Sequence, residues 1–238
     1  MSQNQSINVR PSKAEPLPYG WLMLIFLTVI TGSIGMYIAS PFGVEVRGVL
    51  SHLFAFDSEN VVWYITRSAG FIAYLLLWLS TVWGLAIPGK IFDRVLHRSF
   101  TFEFHQFISL LSLGFLALHV LILLVDQYMP YTLAQIFVPF VSPYRPLWVG
   151  IGVIALYLTV LVTVTFYLRQ WIGMKTFRFI HYSSLIGYLG ATAHSFFSGT
   201  DSGLPIAWLM YAGTFLVVVF LTVYWLVFAW QGRKEAEM

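Results

Sequence analysis

The chain has 238 residues, 58% of them hydrophobic and 10% charged, with a mean hydropathy of +0.77. So little polar surface does not cover a soluble globule of this size, and the formal charge of +3 is scattered along the flanks of apolar runs rather than gathered into a nucleic-acid-binding face. With no cysteine, the chain makes no disulfide, uses no thiol nucleophile and holds no cysteine-ligated iron–sulfur cluster.

Residues 1–19 are polar and punctuated by proline, and read as a tail. Six apolar runs follow, near 20–40, 61–87, 102–125, 147–168, 177–198 and 205–230. Each is long enough to cross a hydrocarbon core about 30 Å thick, which takes about 20 helical residues. The first run follows Arg10 and Lys13 as a signal peptide would, but its apolar core is too long and no convincing A-x-A site follows, so it is expected to be a retained helix. The loop at 126–146 is rich in proline, and "VRGVLSHLFAF" before the second run suits an interfacial segment. Residues 231–238 read as a second short tail. No glycine-rich phosphate loop of the usual spacing occurs.

Ten of the 13 Lys and Arg residues fall on one side of this six-span plan: Arg10, Lys13, Lys90, Arg94, Arg98, Arg169, Lys175, Arg178, Arg233 and Lys234. Arg47 and Arg145 lie in the opposite loops, with Arg67 just inside the second run. The excess of positive charge on cytoplasmic loops then puts both termini in the cytoplasm of a multi-pass protein of the cell membrane. Glu45, Asp57, Glu59, Asp126 and Asp201 fall on or near the outer side, and Trp63, Tyr64, Trp148, Trp171, Trp208 and Trp230 sit near helix ends as an aromatic belt.

Ionisable side chains inside spans are costly and usually functional. Four histidines are placed there in an ordered way. His105 and His119 lie 14 residues apart on the third run, His181 and His194 lie 13 apart on the fifth, and both runs head outward. Those separations correspond to about 21 and 20 Å of helix rise, so each run offers one imidazole at each of two matching depths. That arrangement suits two stacked b-type haems, each iron held axially by one histidine from each helix. Zinc wants four ligands at one point. At about 100° per residue, 14 residues return to within about 40° of one face, whereas 13 leave the two imidazoles about 140° apart. Either Gly187 and Gly190 alter the pitch, or the helix is met from two sides. His52 and His97 read as solvated loop residues.

"WYITRSAGFIAYLLLWLSTVWGL", the His-x13-His and His-x12-His pairs and the six-span plan resemble the ferric reductase-like transmembrane domain family over residues 20–230. The family includes the membrane halves of NADPH oxidases and ferric reductases, and the haem-binding subunit of bacterial periplasmic methionine sulfoxide reductase. The resemblance implies an all-α integral membrane protein of six transmembrane helices, whose core four-helix bundle holds two stacked b-type haems. His105 and His181 would ligate the inner iron, His119 and His194 the outer one, and Arg67 would meet a propionate of the outer haem rather than only snorkel to headgroups. Phe115 or Tyr188, between the two levels, would fill the gap between haems or serve as core packing. No FAD- or NADPH-binding domain follows the last run, so FAD or FMN is expected only on a separate partner.

These expectations describe the membrane electron-transfer component of an oxidoreductase, without a catalytic residue of its own. Single electrons would pass from a cytoplasmic flavoprotein or a membrane quinol to an acceptor on the outer face: ferric iron, oxygen or a periplasmic redox protein. Two rivals share the same residues. The histidines with Arg67 and Asp126 suit a proton or ion transporter, and the fold also suits a structural haem subunit of a larger redox complex.

Overall fold

The computed structural model describes residues 61–237 apart from 125, 127 and 128. The tail at 1–19, the first expected span at 20–40 and the loop bearing Glu45, Arg47, His52, Asp57 and Glu59 lie outside the described residues, as do Arg10 and Lys13.

The described chain is helical, with no strand among the described residues. Helix α1 is Val61–Ala86, α2 Arg98–Ile122, α3 Leu133–Phe137, α4 Pro146–Ile172, α5 Met174–Ser198 and α6 Pro205–Glu237, with a 3-10 turn at Thr200–Gly203. Four of them, α1, α2, α4 and α6 as far as Val227, are long and apolar enough to cross a bilayer, which makes this a multi-pass membrane protein. Burial runs opposite to a soluble protein. Large apolar side chains such as Ile72, Leu118, Leu121, Leu161, Leu216 and Phe220 face outward, while small or hydroxylated ones such as Ala69, Ala73, Ser80, Ser112 and Thr165 are buried between helices. Lipid solvates the former; close helix approach and interhelical hydrogen bonds require the latter.

The helices pack as antiparallel hairpins, α1 with α2 and α4 with α5, and α6 lies along α1. Ser112 Oγ donates to Ala73 O across the first hairpin at 3.1 Å. The second hairpin turns through one residue, Gly173, whose φ of 81° and ψ of 153° are open to glycine alone. The helices that carry the histidines, α2 and α5, are not among the closely packed pairs.

Three features of the helices bear on the sequence expectations. Helix α5 is not one of the four apolar helices, because Lys175, Arg178, both histidines and its serines dilute its apolar surface. It packs chiefly on α4, with further contacts to α1 and α6, and leaves Phe179, Tyr182 and Ile186 facing outward. It is also unbroken through Gly187 and Gly190. A methyl group at either would meet the Cβ of Leu158 or Ala155 on α4 at 3.4 Å, so these glycines serve the α4–α5 contact and not a change of pitch. Finally, α6 continues through 231–237, a segment expected to be a tail.

Candidate functional site

The helices bring the four histidines together in two pairs. His105 on α2 faces His181 on α5 with ring centroids 6.2 Å apart and planes at 79°; His119 faces His194 at 6.4 Å and 68°. Two imidazoles bound on opposite sides of one metal ion, with metal–nitrogen bonds of about 2.0–2.1 Å, have ring centroids about 6.3 Å apart. Since α5 is unbroken and the residue spacings differ, the pairs are met from two flanks of that helix.

Hydrogen bonding decides which ring nitrogen is free. His119 Nδ1 lies 2.8 Å from Thr66 O on α1, and His194 Nδ1 lies 3.0 Å from Trp148 O on α4. A carbonyl only accepts, so each Nδ1 carries a proton, and in the neutral ring each Nε2 then keeps its lone pair. His105 Nδ1 is 3.4 Å from Ser80 Oγ, which is 2.6 Å from Ser109 Oγ. Ser109 spends its one proton on His105 O at 2.7 Å, so Ser80 donates to Ser109 and accepts from His105. His105 therefore has the same tautomer. His181 Nδ1 is buried and has no partner among the described residues. No hydrogen bond reaches Nε2 of any of the four among the described residues.

A cavity of about 210 Å³ surrounds the outer pair. Its walls are largely apolar, with His119, His194, Arg67, Asp201, Tyr131 and Tyr144 as polar points. Arg67 forms an ion pair with Asp201, tying α1 to the turn that follows α5, and its guanidinium lies 6.0 Å from the Trp63 ring. Burial raises the Tyr131 phenol above its ordinary range; its bond to Ser142 works against that.

Among the described residues no group of three or more His, Cys, Asp or Glu side chains converges on one point, so a tetrahedral zinc cage is not built here. Paired axial ligands to a group that supplies its own equatorial donors are a different case, and the donor set fits it: two neutral imidazoles on facing helices with free Nε2 atoms and fixed Nδ1 atoms.

The other expected residues divide. Tyr188 is fully buried in an aromatic cluster with Tyr74 and Tyr211, its ring stacked on Tyr74 at 6.1 Å, and it belongs to the core. Phe115 is half-buried on α2. His97 precedes α2 as its N-cap without a capping side-chain bond. Sequence does not single out Asp201 as Arg67's partner, nor Ser80 Oγ and the carbonyls of Thr66 and Trp148 as acceptors; a backbone carbonyl leaves no mark in side-chain spacing, and a lone serine on a helix leaves little.

No family model, no curated protein and no solved structure matches this chain.

Proposed function

We propose that the chain is a membrane electron-transfer protein holding two b-type haems, one between His105 and His181 and one between His119 and His194, on the plan of the ferric reductase-like transmembrane domain. The observation that carries this is the pair of facing imidazoles at each of two depths, with ring centroids 6.2 and 6.4 Å apart. His105 with His181 and His119 with His194 would each hold one haem, which would supply one-electron oxidation and reduction.

The chain's own residues provide the setting. Thr66 O and Trp148 O orient the outer imidazoles and increase their basicity, and Ser80 does the same for His105. The largely apolar walls around the outer pair suit a large apolar group. Arg67, on the cavity wall and paired with Asp201, offers a planar fork to a carboxylate substituent of the group. Both termini then lie in the cytoplasm of a six-span protein of the cell membrane, with His105 and His181 at the inner level and His119 and His194 at the outer level. The donor is a separate flavoprotein or a membrane quinol, and the acceptor stands at the outer face.

The test is a dithionite-reduced minus oxidised absorbance spectrum of the purified protein, with a pyridine haemochrome count. A b-type α-band, two haems per chain, and loss of haem in both His105→Ala and His119→Ala support the proposal. Haem-free protein with its helices intact, or variants with undiminished haem, overturns it and leaves the four histidines as proton or ion ligands.

A further inference from the structure

Three of the four imidazoles lie against a glycine. A methyl group built at Gly152 would stand 2.5 Å from Nδ1 and 2.7 Å from Cγ of His194, and one at Gly70 would stand 2.9 Å from Nδ1 of His119. One at Gly84 would stand 3.1 Å from Cε1 of His105. Carbon atoms in ordinary packing approach to about 3.5–4.0 Å. None of the three glycines has a positive φ, and each sits inside a helix, where alanine is the better helix former. Backbone conformation therefore does not call for glycine at these positions; the imidazoles do.

Each glycine follows, by four residues, the group that accepts from the same imidazole. Thr66 O precedes Gly70, Ser80 Oγ precedes Gly84, and Trp148 O precedes Gly152. In a helix a side chain leans back over the turn before it, so a side chain at the fourth position would cover the acceptor as well as press on the ring. On α1 the two units repeat at the interval that separates His105 from His119 on the antiparallel α2. The exception is informative. Thirteen residues past Gly152, at the position level with His181, stands Thr165, whose hydroxyl donates to Leu161 O, and His181 Nδ1 has no partner among the described residues.

We propose that Thr66 with Gly70, Ser80 with Gly84, and Trp148 with Gly152 are three copies of one positioning device, in which an acceptor and the glycine one turn later seat an imidazole and fix its ring plane. The device acts on His119, His105 and His194 and is missing at His181; its role rests on the haem reading above. Gly70 and Gly152 serve the outer pair and Gly84 the inner pair.

The experiment is low-temperature EPR of the oxidised full-length protein, which reports the orientation of axial imidazole planes, with haem count, helix content and thermal midpoint measured on the same samples. Gly70→Ala and Gly152→Ala should alter or abolish the same low-spin signal, and Gly84→Ala the other. Ser80→Ala, which removes an acceptor without adding bulk, should shift the signal that Gly84→Ala changes. Gly114→Ala, where nothing lies within 4 Å of the new methyl, should leave both signals in place. Two haems with unchanged signals in the three glycine variants overturn the device alone, as does an equal disturbance from Gly114→Ala. Should any glycine variant lose its helices, an unshifted inner signal in Ser80→Ala overturns it. Wild-type protein without haem overturns both this and the reading beneath it.

Discussion

Replacing Tyr74 by phenylalanine removes one hydroxyl from the centre of the bundle, and its neighbours fix the consequence. Tyr74 Oη lies 2.6 Å from Thr214 Oγ1 and 3.4 Å from Tyr188 Oη, with all three side chains buried. Thr214 spends its proton within α6, on Met210 O at 2.8 Å or Tyr211 O at 3.0 Å. Tyr74 must then donate to Thr214, and Tyr188 to Tyr74, because a hydroxyl has one proton to give. Interhelical hydrogen bonds in membranes contribute about 0.6 kcal/mol on average and about 1.7 at most. Stranding a buried hydroxyl costs a further ~1–3 kcal/mol. Tyr74→Phe should therefore destabilise the protein by about 1.5–3.5 kcal/mol, whereas Tyr188→Phe, which strands nothing, should cost about 0.5–1 kcal/mol. In the Tyr74→Phe background, Tyr188→Phe removes the stranded hydroxyl and should restore stability by about 1 kcal/mol. Reversible unfolding in mixed micelles of increasing SDS fraction, followed by far-ultraviolet circular dichroism, measures all four corners of the cycle. Additivity of the two single substitutions to within about 0.3–0.5 kcal/mol would refute the assigned direction of these bonds.

Two further outcomes follow from the fold and its charges. Because the sequence contains no cysteine, single cysteines report orientation against a clean background. Leu133→Cys, at the exposed first residue of α3 between α2 and α4, should react with a membrane-impermeant maleimide on intact cells, and Lys175→Cys, in the first turn of α5, only after permeabilisation; the reverse pattern contradicts cytoplasmic termini. Gly173→Ala forces a side chain into φ 81°, ψ 153° at the joint of α4 and α5 and should cost about 1–3 kcal/mol in the same unfolding assay. A loss below about 0.5 kcal/mol would show that the hairpin closes without the strained backbone.

Much of the arrangement is written in local pattern. Runs of apolar residues about 20 long have one stable form in hydrocarbon, since a helix satisfies its own backbone, so the helices over Val61–Ala86 and Pro146–Ile172 follow from composition with little help from their neighbours. The histidine levels are legible for a similar reason. Helix rise is constant, and separations of 14 and 13 residues give the two helices nearly equal spacings, so that aligning one pair of imidazoles aligns the other.

Rotation about the helix axis is another matter. The azimuths of His181 and His194 conflict with a shared face, and only the seat of α5 between its neighbours determines that both still meet α2's histidines at 6.2 and 6.4 Å. Gly187 and Gly190 look in sequence like hinges and are contact points, whereas Gly70, Gly84 and Gly152 look like nothing and lie against the imidazoles. The same holds for Tyr188, placed between the two levels by its number and held in the Tyr74 cluster by its direction. Depth along a helix is a property of one chain segment and is determined by the sequence alone. Which side a residue presents, and which carbonyl or carboxylate it finds there, depends on how several helices pack at once, and that is decided only in the tertiary structure.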